Sequence, residues 1–538
     1  MCGILAIIGK GKDEALVQQL SKRMSHRGPD ESDILVTEKG HILSHERLSI
    51  IDLTTGRQPI QGTSKAWMVH NGEIYNHQKL RDTVLSHHNF RTTSDSEVIV
   101  HLYEEFGYEF CDMLDGIFAF VVINGDDYMA GRDPLGVKPL YYGLDERGRM
   151  YFSSEMKAIT DQCRSFSTFP PGHYYTPQTG FVKYYRPEWE DASKAVEAVD
   201  FEVIRATLTQ AVEKRLMSDV PVGVLLSGGL DSSLTSSIAA RLLKDSGKKL
   251  HSFSIGLTPD APDAAAARKV AEFLGTDHHE IHFTIEQGIK ILDKLVWHLE
   301  TYDVTSIRAS TPMYFLSKAI TDMGIKVVLS GEGADEIFGG YLYFRNAPSA
   351  AEFQKETIER VQKLFTADLL RADKSTMAHG LEARVPFLDK KFLEMAIKIR
   401  PEDKQPKTYK GIEKYILRKA FDTPETPYLP DEVLWRQKEQ FSDGVGYNWI
   451  DTLIEYCATQ VTDVELEMAE ERFPYNTPAT KEAYFYRTLF HKHFPQVSAA
   501  QTVRKWIPKW QENTDPSGRA NAAHVQADIA IATVKEEI

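Results

Sequence analysis

Residues 221–233 read PVGVLLSGGLDSS, passing from an apolar run through a glycine pair into polar residues. Val222, Val224, Leu225 and Leu226 have the length and composition of a buried strand. Gly228 and Gly229 then allow a tight turn and close approach of backbone to a ligand. Leu234, Ile238 and Leu242 recur at helical spacing, so Asp231, Ser232 and Ser233 fall at a helix start. Exposed N–H groups and the helix dipole attract anions there, and the stretch reads as a phosphate cradle. It lacks the Gly-Lys-Ser/Thr of a P-loop, and no lysine in the stretch can reach β- or γ-phosphates.

The same alternation continues downstream. Strands are predicted at Ser252 to Leu257, His279 to Phe283 and Val327 to Leu329, with helices at Ala264 to Leu274 and up to about Leu299. Strand and helix in turn predict an α/β doubly wound parallel sheet, which binds ligands at the carboxyl ends of its strands. Ser330-Gly-Glu-Gly-Ala-Asp-Glu336 follows the last of these strands, bringing Glu332, Asp335 and Glu336 together. Three acids repel one another unless cations share the site, and magnesium suits few carboxylates plus phosphates. His278, His279 and His282 do not make a zinc site, because Phe283 stands where the second histidine of the zincin pattern belongs.

Upstream, residues 1 to about 185 are β-rich, with strands predicted at Ile4 to Ile8, Ala66 to His70, Phe118 to Ile123 and Met150 to Ser153. Leu16, Leu20 and Met24, and again Val98, Leu102 and Phe106, mark helices that can each lay one face on a sheet. The front part is therefore expected to be layered α+β. Cys2 is its notable residue: removal of Met1 would give it a free α-amino group titrating near roughly 8, a base beside its own thiol. Residues 186–200 are charged without periodicity and read as a linker. Gly131 to Gly136 reads as a scaffold turn and Ser153 to Glu155 as a packing segment, and Ala383 to Asp389 and Trp435 to Gly444 as ion-paired helix surface. After Lys509 the polar, Ala-rich chain predicts a disordered tail.

The 538 residues exceed one core and suit two or three domains. Net charge is 63 − 77 = −14, which argues against a nucleic-acid surface and leaves small molecules as partners. No apolar stretch approaches membrane-spanning length. Four scattered cysteines, without a CxxC pair, suit a reduced cytoplasm.

Two resemblances sharpen these expectations. Ser227 to Ser233, between a predicted strand and helix, resemble the pyrophosphate loop of the N-type ATP pyrophosphatases. Arg27 to Asp30, His45 to Ile50, Asn71 to Asn76 and Ser94-Asp95 look like the class II glutamine amidotransferases, an N-terminal-nucleophile family. The second resemblance implies that Cys2 attacks the glutamine amide while the Asn71 side chain and Gly72 N–H hold the oxyanion. Arg47 would take the α-carboxylate, Glu73 and Asp95 the α-ammonium, and Leu48, Ser49 and Ile50 would complete the glutamine site.

A glutaminase unit (2–185), a linker (186–200) and an ATP pyrophosphatase-type unit (201–510) resemble, in this order, the glutamine-hydrolysing asparagine synthetases. The likeness runs over nearly all of residues 2 to 500, includes Glu300 to Asp303 and Arg308 to Pro312, and favours the bacterial B-type members. It implies ATP, aspartate and glutamine as substrates, magnesium as cofactor, an internal passage for ammonia and, often in this family, a homodimer. Leu225 and Ile255 would meet the adenine end. Ser227, Gly228, Gly229, Leu230, Asp231, Ser232 and Ser233 would meet the pyrophosphate, and Ser330 and Gly331 the nucleotide. Asp231 and Asp335 would hold magnesium, Glu332 would act near the aspartyl intermediate, and Lys438 would stabilise charge on phosphorus.

Other readings use the same parts. An adenylating relative such as a β-lactam synthetase would act on another carboxylate, but the intact Cys2 and Lys438 weigh against it. A glutamine sensor has no reason to keep Asp231, Asp335 and Lys438 together. Aspartate as acceptor rests on the resemblance alone.

Overall fold

The computed structural model describes residues 2–11, 13–244, 247, 249–437, 444–446 and 448–511. The tail expected at 511–538 falls, from residue 512, outside the described residues.

The front of the chain folds as two stacked antiparallel sheets. Its strands are β1 (Gly3–Ile8), β2 (Glu31–Val36), β3 (Ile42–Arg47), β4 (Ile60–Gln61), β5 (Trp67–Ile74) and β6 (Gly116–Asn124). They continue with β7 (Asp127–Arg132), β8 (Tyr141–Asp145), β9 (Met150–Ser153), β10 (Cys163–Thr168), β11 (His173–Thr176) and β12 (Gly180–Lys183). One sheet has the order β10-β8-β9-β1-β3-β2 and the other β12-β11-β7-β6-β5-β4. Period-2 alternation decides which face each side chain serves. Ile4, Ala6 and Ile8 of β1 share a core with Val69, Ala119 and Val121, whereas Leu5 and Ile7 face Val17 and Leu20 of α1 (Glu14–Lys22). Phe118, Phe120 and Val122 of β6 turn the other way, onto Val98 and Leu102 of α2 (Glu97–Phe106). Helix, sheet, sheet and helix form the layered α+β arrangement expected from the sequence.

Behind it lies a parallel sheet of β13 (Val222–Leu225), β14 (His251–Gly256), β15 (Asp277–His282), β16 (Val327–Leu329) and β17 (Glu382–Arg384), ordered β15-β14-β13-β16-β17. The chain starts at the centre, winds one way through β14 and β15, then returns to the other side through β16 and β17. The switch falls between β13 and β16, where a doubly wound sheet opens a crevice at its carboxyl edge. Helices α3 (Leu230–Leu243), α4 (Pro262–Leu274), α5 (Ile285–Leu299), α6 (Val304–Asp322) and α7 (Asp368–Met377) follow the strands or cover them.

Two sequence expectations needed correction. The third strand begins two residues before the expected His279, because β15 is a half-exposed edge strand whose register is fixed by pairing Asp277 to His282 with β14. Ala383 to Asp389 is not helix surface: it enters β17 and a short turn at Pro386–Leu388, all buried. The helical spacing around it belongs to α7 and to the later helix Lys390–Lys398. His278 meets the hydroxyls of Ser252 and Ser254 at 2.9 and 3.2 Å, a satisfied structural histidine.

The two units share a continuous seam. Leu5, Met24 and Tyr151 from the front join Ile255, Leu299 and Leu381 from the rear in one hydrophobic cluster. Beside it, Arg27 donates to Glu155 and Asp373 at 2.8 Å each, and Glu300 accepts from the Lys157 backbone N–H and from Lys374.

Candidate active sites

The first centre sits at the edge of β1. Cys2 is buried, its backbone nitrogen donates to Asn71 Oδ1 at 2.9 Å, and its thiol lies 4.0 Å from the Leu48 carbonyl. Asn71 is carried by β5, and its Nδ2 reaches the Ser154 hydroxyl at 3.4 Å. Gly72 has φ +147°, and a Cβ there would lie 1.9 Å from the Ile117 carbonyl, so only glycine lets Asn71 present its amide beside Cys2. Asp95 accepts from the Ile74 N–H at 2.7 Å, which aims its carboxylate along the end of β5.

The Arg47 guanidinium is buried, donating to Glu31 at 2.7 Å and to the Asp52 carbonyl. Ser49 N–H donates to Asp30 at 2.7 Å, and the Ile50 carbonyl accepts from Asp219 N–H at 3.1 Å. Asp219 belongs to the rear unit, so the loop carrying Leu48, Ser49 and Ile50 is held from behind. Lys326, just before β16, adds a 2.7 Å bond to Asp30. Sequence reasoning missed both anchors, since only the fold brings them there.

Burial pushes the Cys2 thiol up, against the pull of the chain's amino-terminal charge and Arg47. A buried, protonated thiol needs a base to become a nucleophile. His45 and His70 are held down to about 3 by burial and stay neutral. Glu73 lies 3.3 Å from Arg384 of β17; burial raises its carboxyl well above the usual range, with Glu382 adding and Arg384 opposing.

The second centre is the crevice at the carboxyl edge of the parallel sheet. Leu225, Ser227, Gly229, Leu230, Asp231, Ser232, Ile255, Ser330, Gly331, Glu332 and Asp335 line one cavity. Two sequence-predicted residues do not reach it. Gly228, at φ +72°, turns the loop against Ala266, and Ser233 is fully buried with its N–H bonded to Gly229. Gly331 touches the other loop: a Cβ there would lie 2.8 Å from the Asp231 main chain. Lys438 lies outside the described residues.

A lysine does reach the cradle, from far along the chain. Lys414 Nζ bonds both oxygens of Asp231 at 2.6 and 2.9 Å and Asp335 at 2.8 Å. Its backbone is left-handed, φ 54°, a strained conformation for a non-glycine residue. The two carboxylates therefore converge on one cationic point. Glu332 pairs with Arg371 at 2.8 Å, and Arg371 also meets Asp368 at 3.1 Å. Glu336 departs from the expected trio of acids. It is buried and bonded to the Tyr341 hydroxyl, and burial together with Asp368 and Asp335 raises its carboxyl to about 8.

A family profile described as Asparagine synthase matches residues 203–352 and 345–514, and one described as Glutamine amidotransferase domain matches residues 1–182. An asparagine synthetase (glutamine-hydrolyzing) of Zea mays is 50% identical over 98% of this chain and 94% of its own length. A probable one of Dictyostelium discoideum is 52% identical over 98% of this chain and 99% of its own. The chain belongs to the asparagine synthetase family. Asparagine synthetase 1 of Arabidopsis thaliana adds 51% identity over 97% of this chain. In this asparagine synthetase family member the Cys2 centre lies in the amidotransferase match and the crevice at the sheet's carboxyl edge in the synthase match. Among the described residues no helix is long and apolar enough to cross a membrane.

Proposed function

We propose that the chain makes L-asparagine from L-aspartate, L-glutamine and ATP, releasing glutamate, AMP and pyrophosphate. With Met1 removed, the Cys2 α-amine takes the proton of its own thiol, and the sulfur attacks the glutamine amide carbon. Asn71 and the Gly72 N–H stabilise the oxyanion, ammonia leaves, and water hydrolyses the thioester to glutamate. Glu73 and Asp95 bind the substrate's α-ammonium, Arg47 its α-carboxylate, and Leu48, Ser49 and Ile50 wall the pocket.

In the rear unit the aspartate β-carboxylate attacks the α-phosphorus of ATP and pyrophosphate departs. Ammonia then attacks the acyl carbon of β-aspartyl-AMP and AMP departs. Ser227, Gly229, Leu230, Asp231 and Ser232 face the phosphates while Gly228 turns the loop and Ser233 anchors it from behind, Leu225 and Ile255 hold the adenine, and Ser330 and Gly331 close on the nucleotide. Glu332 and Lys438 serve the reacting centre. Asp231 and Asp335 fit magnesium, because both already converge on the Lys414 ammonium. Bound there, magnesium would neutralise charge on the departing pyrophosphate. Lys414, displaced from the two acids, would turn to the phosphates.

The observation that carries this reading is the joining of both centres by one buried seam, with Arg27 bonded to the Cys2 carbonyl and to Asp373 of α7. We read residues 2–185 and 201–510 as the two working units, 186–200 as their linker and 511–538 as a tail without an assigned role. The four cysteines are free and buried, which suits a reduced cytoplasm. One incubation with MgATP, aspartate and glutamine tests the function: asparagine, AMP and pyrophosphate should rise in step. Glutamate without asparagine or AMP would overturn aspartate as the acceptor.

A further inference from the structure

β17 is a three-residue strand at the end of the rear sheet, yet all its side chains are buried, with α7, Arg215 and the front unit's Glu73 packed about it. Arg384 uses both of its ends. Its main-chain carbonyl accepts the Ser330 N–H at 2.9 Å, fixing the first residue of the nucleotide loop. Its side chain crosses into the front unit, where Nη2 stands 3.3 Å from Glu73 Oε1. Nη1 donates to the Arg215 carbonyl at 2.7 Å and Nε to Glu382, so the guanidinium is held on its remaining sides.

The contact with Glu73 differs from these. It is an ion pair without hydrogen-bond geometry, and Glu73 Oε2 is buried with no hydrogen-bond partner. A carboxylate in that state can rotate or change its charge when a second cation arrives. The α-ammonium of glutamine, on the reading above, is that cation.

We propose that Arg384 is a positioning residue shared by both centres: its guanidinium sets Glu73 for the glutamine ammonium while its carbonyl sets Ser330 for the nucleotide. A nucleotide that orders the Ser330 loop then fixes β17 and Arg384, and so prepares Glu73. By linkage, glutamine must tighten nucleotide binding by the same factor. The inference rests on Glu73 binding glutamine.

The test uses the full chain with Cys2→Ala, which can bind glutamine without consuming it, and MgATP without aspartate. Calorimetry should show glutamine binding about fivefold tighter or more with MgATP present. In Cys2→Ala/Arg384→Lys, which keeps the charge but loses the fork, that factor should fall below about twofold and glutamine should bind about tenfold more weakly. A factor near one in the parent, or an undiminished factor in a folded Arg384→Lys chain, overturns the proposal. If Arg384→Lys does not fold by circular dichroism, Cys2→Ala/Glu382→Gln is read instead. It removes the carboxylate that holds Arg384 Nε, so the factor should fall toward one, and an undiminished factor overturns the proposal. Glu73→Gln separates the two readings: unchanged glutamine affinity there would sink the role of Glu73 itself.

Discussion

Arg27 Nη1 donates to Asp373 Oδ1 at 2.8 Å, a bond between residues 346 positions apart. The same guanidinium holds the Cys2 carbonyl at 3.0 Å and Glu155 at 2.8 Å. A fully buried arginine thus sets the Cys2 main chain and ties it to α7.

Arg27→Met leaves Glu155 and Asp373 buried without this partner, and removing one member of a buried pair costs about 3–5 kcal/mol. Thermal melts should show a lower midpoint, and glutamine hydrolysis should fall more than ammonia-dependent synthesis. Equal loss of both activities at a temperature where the variant is folded would remove Arg27 from the positioning of Cys2.

Cys2→Ala should abolish glutamine-dependent synthesis while synthesis from ammonium salts persists, since the rear crevice contains no part of the front centre. Asparagine formation measured with each nitrogen source decides this. Loss of both would mean that the two centres do not act separately.

Lys414→Met removes the ammonium that bridges Asp231 and Asp335. Synthesis should drop by about a hundredfold or more, as for loss of a preorganised electrostatic partner, with glutamine hydrolysis retained. Loss of the bridging cation should also make the variant more responsive to magnesium. A larger upward shift of its melting temperature on adding magnesium is expected, and no shift in either protein would remove these acids as a magnesium site.

Glu300 contributes to the acid limb of stability. Burial alone would raise its carboxyl, but Lys157 and Lys374 overcome this and hold it at about 2, below the ordinary 4.5. A depressed carboxyl stabilises fully above its unfolded value, and the contribution fades as pH falls from about 4.5 toward about 2. Glu300→Gln should therefore destabilise the protein at neutral pH and flatten this part of the profile in denaturant titrations. A parallel acid limb in the variant would show that other groups set it.

Much of this protein was legible in the chain itself. The run into Ser227-Gly-Gly, helical spacing from Leu234, and Val327 to Leu329 before Ser330 are local patterns, and a parallel sheet places such loops together at one edge. Asn71-Gly72 was readable only through the family resemblance, since Asn-Gly by itself also reads as a hairpin turn; the Ile117 carbonyl that excludes a Cβ at Gly72 is a fact of the fold. Periodicity found β15 but began it two residues late, and did not recognise Ala383 to Asp389 as buried strand and turn.

What only the tertiary structure decided are the charges brought together over long separations. Lys414 reaches Asp231 across 183 residues, Arg371 reaches Glu332 across 39, and Arg384 meets Glu73 across the seam. Sequence determines such contacts only through the packing of whole units, since an ion pair has no periodicity and its partners leave no local mark. Burial then gives these charges their importance, because water no longer screens them and each buried ion depends on the partner that the fold supplies.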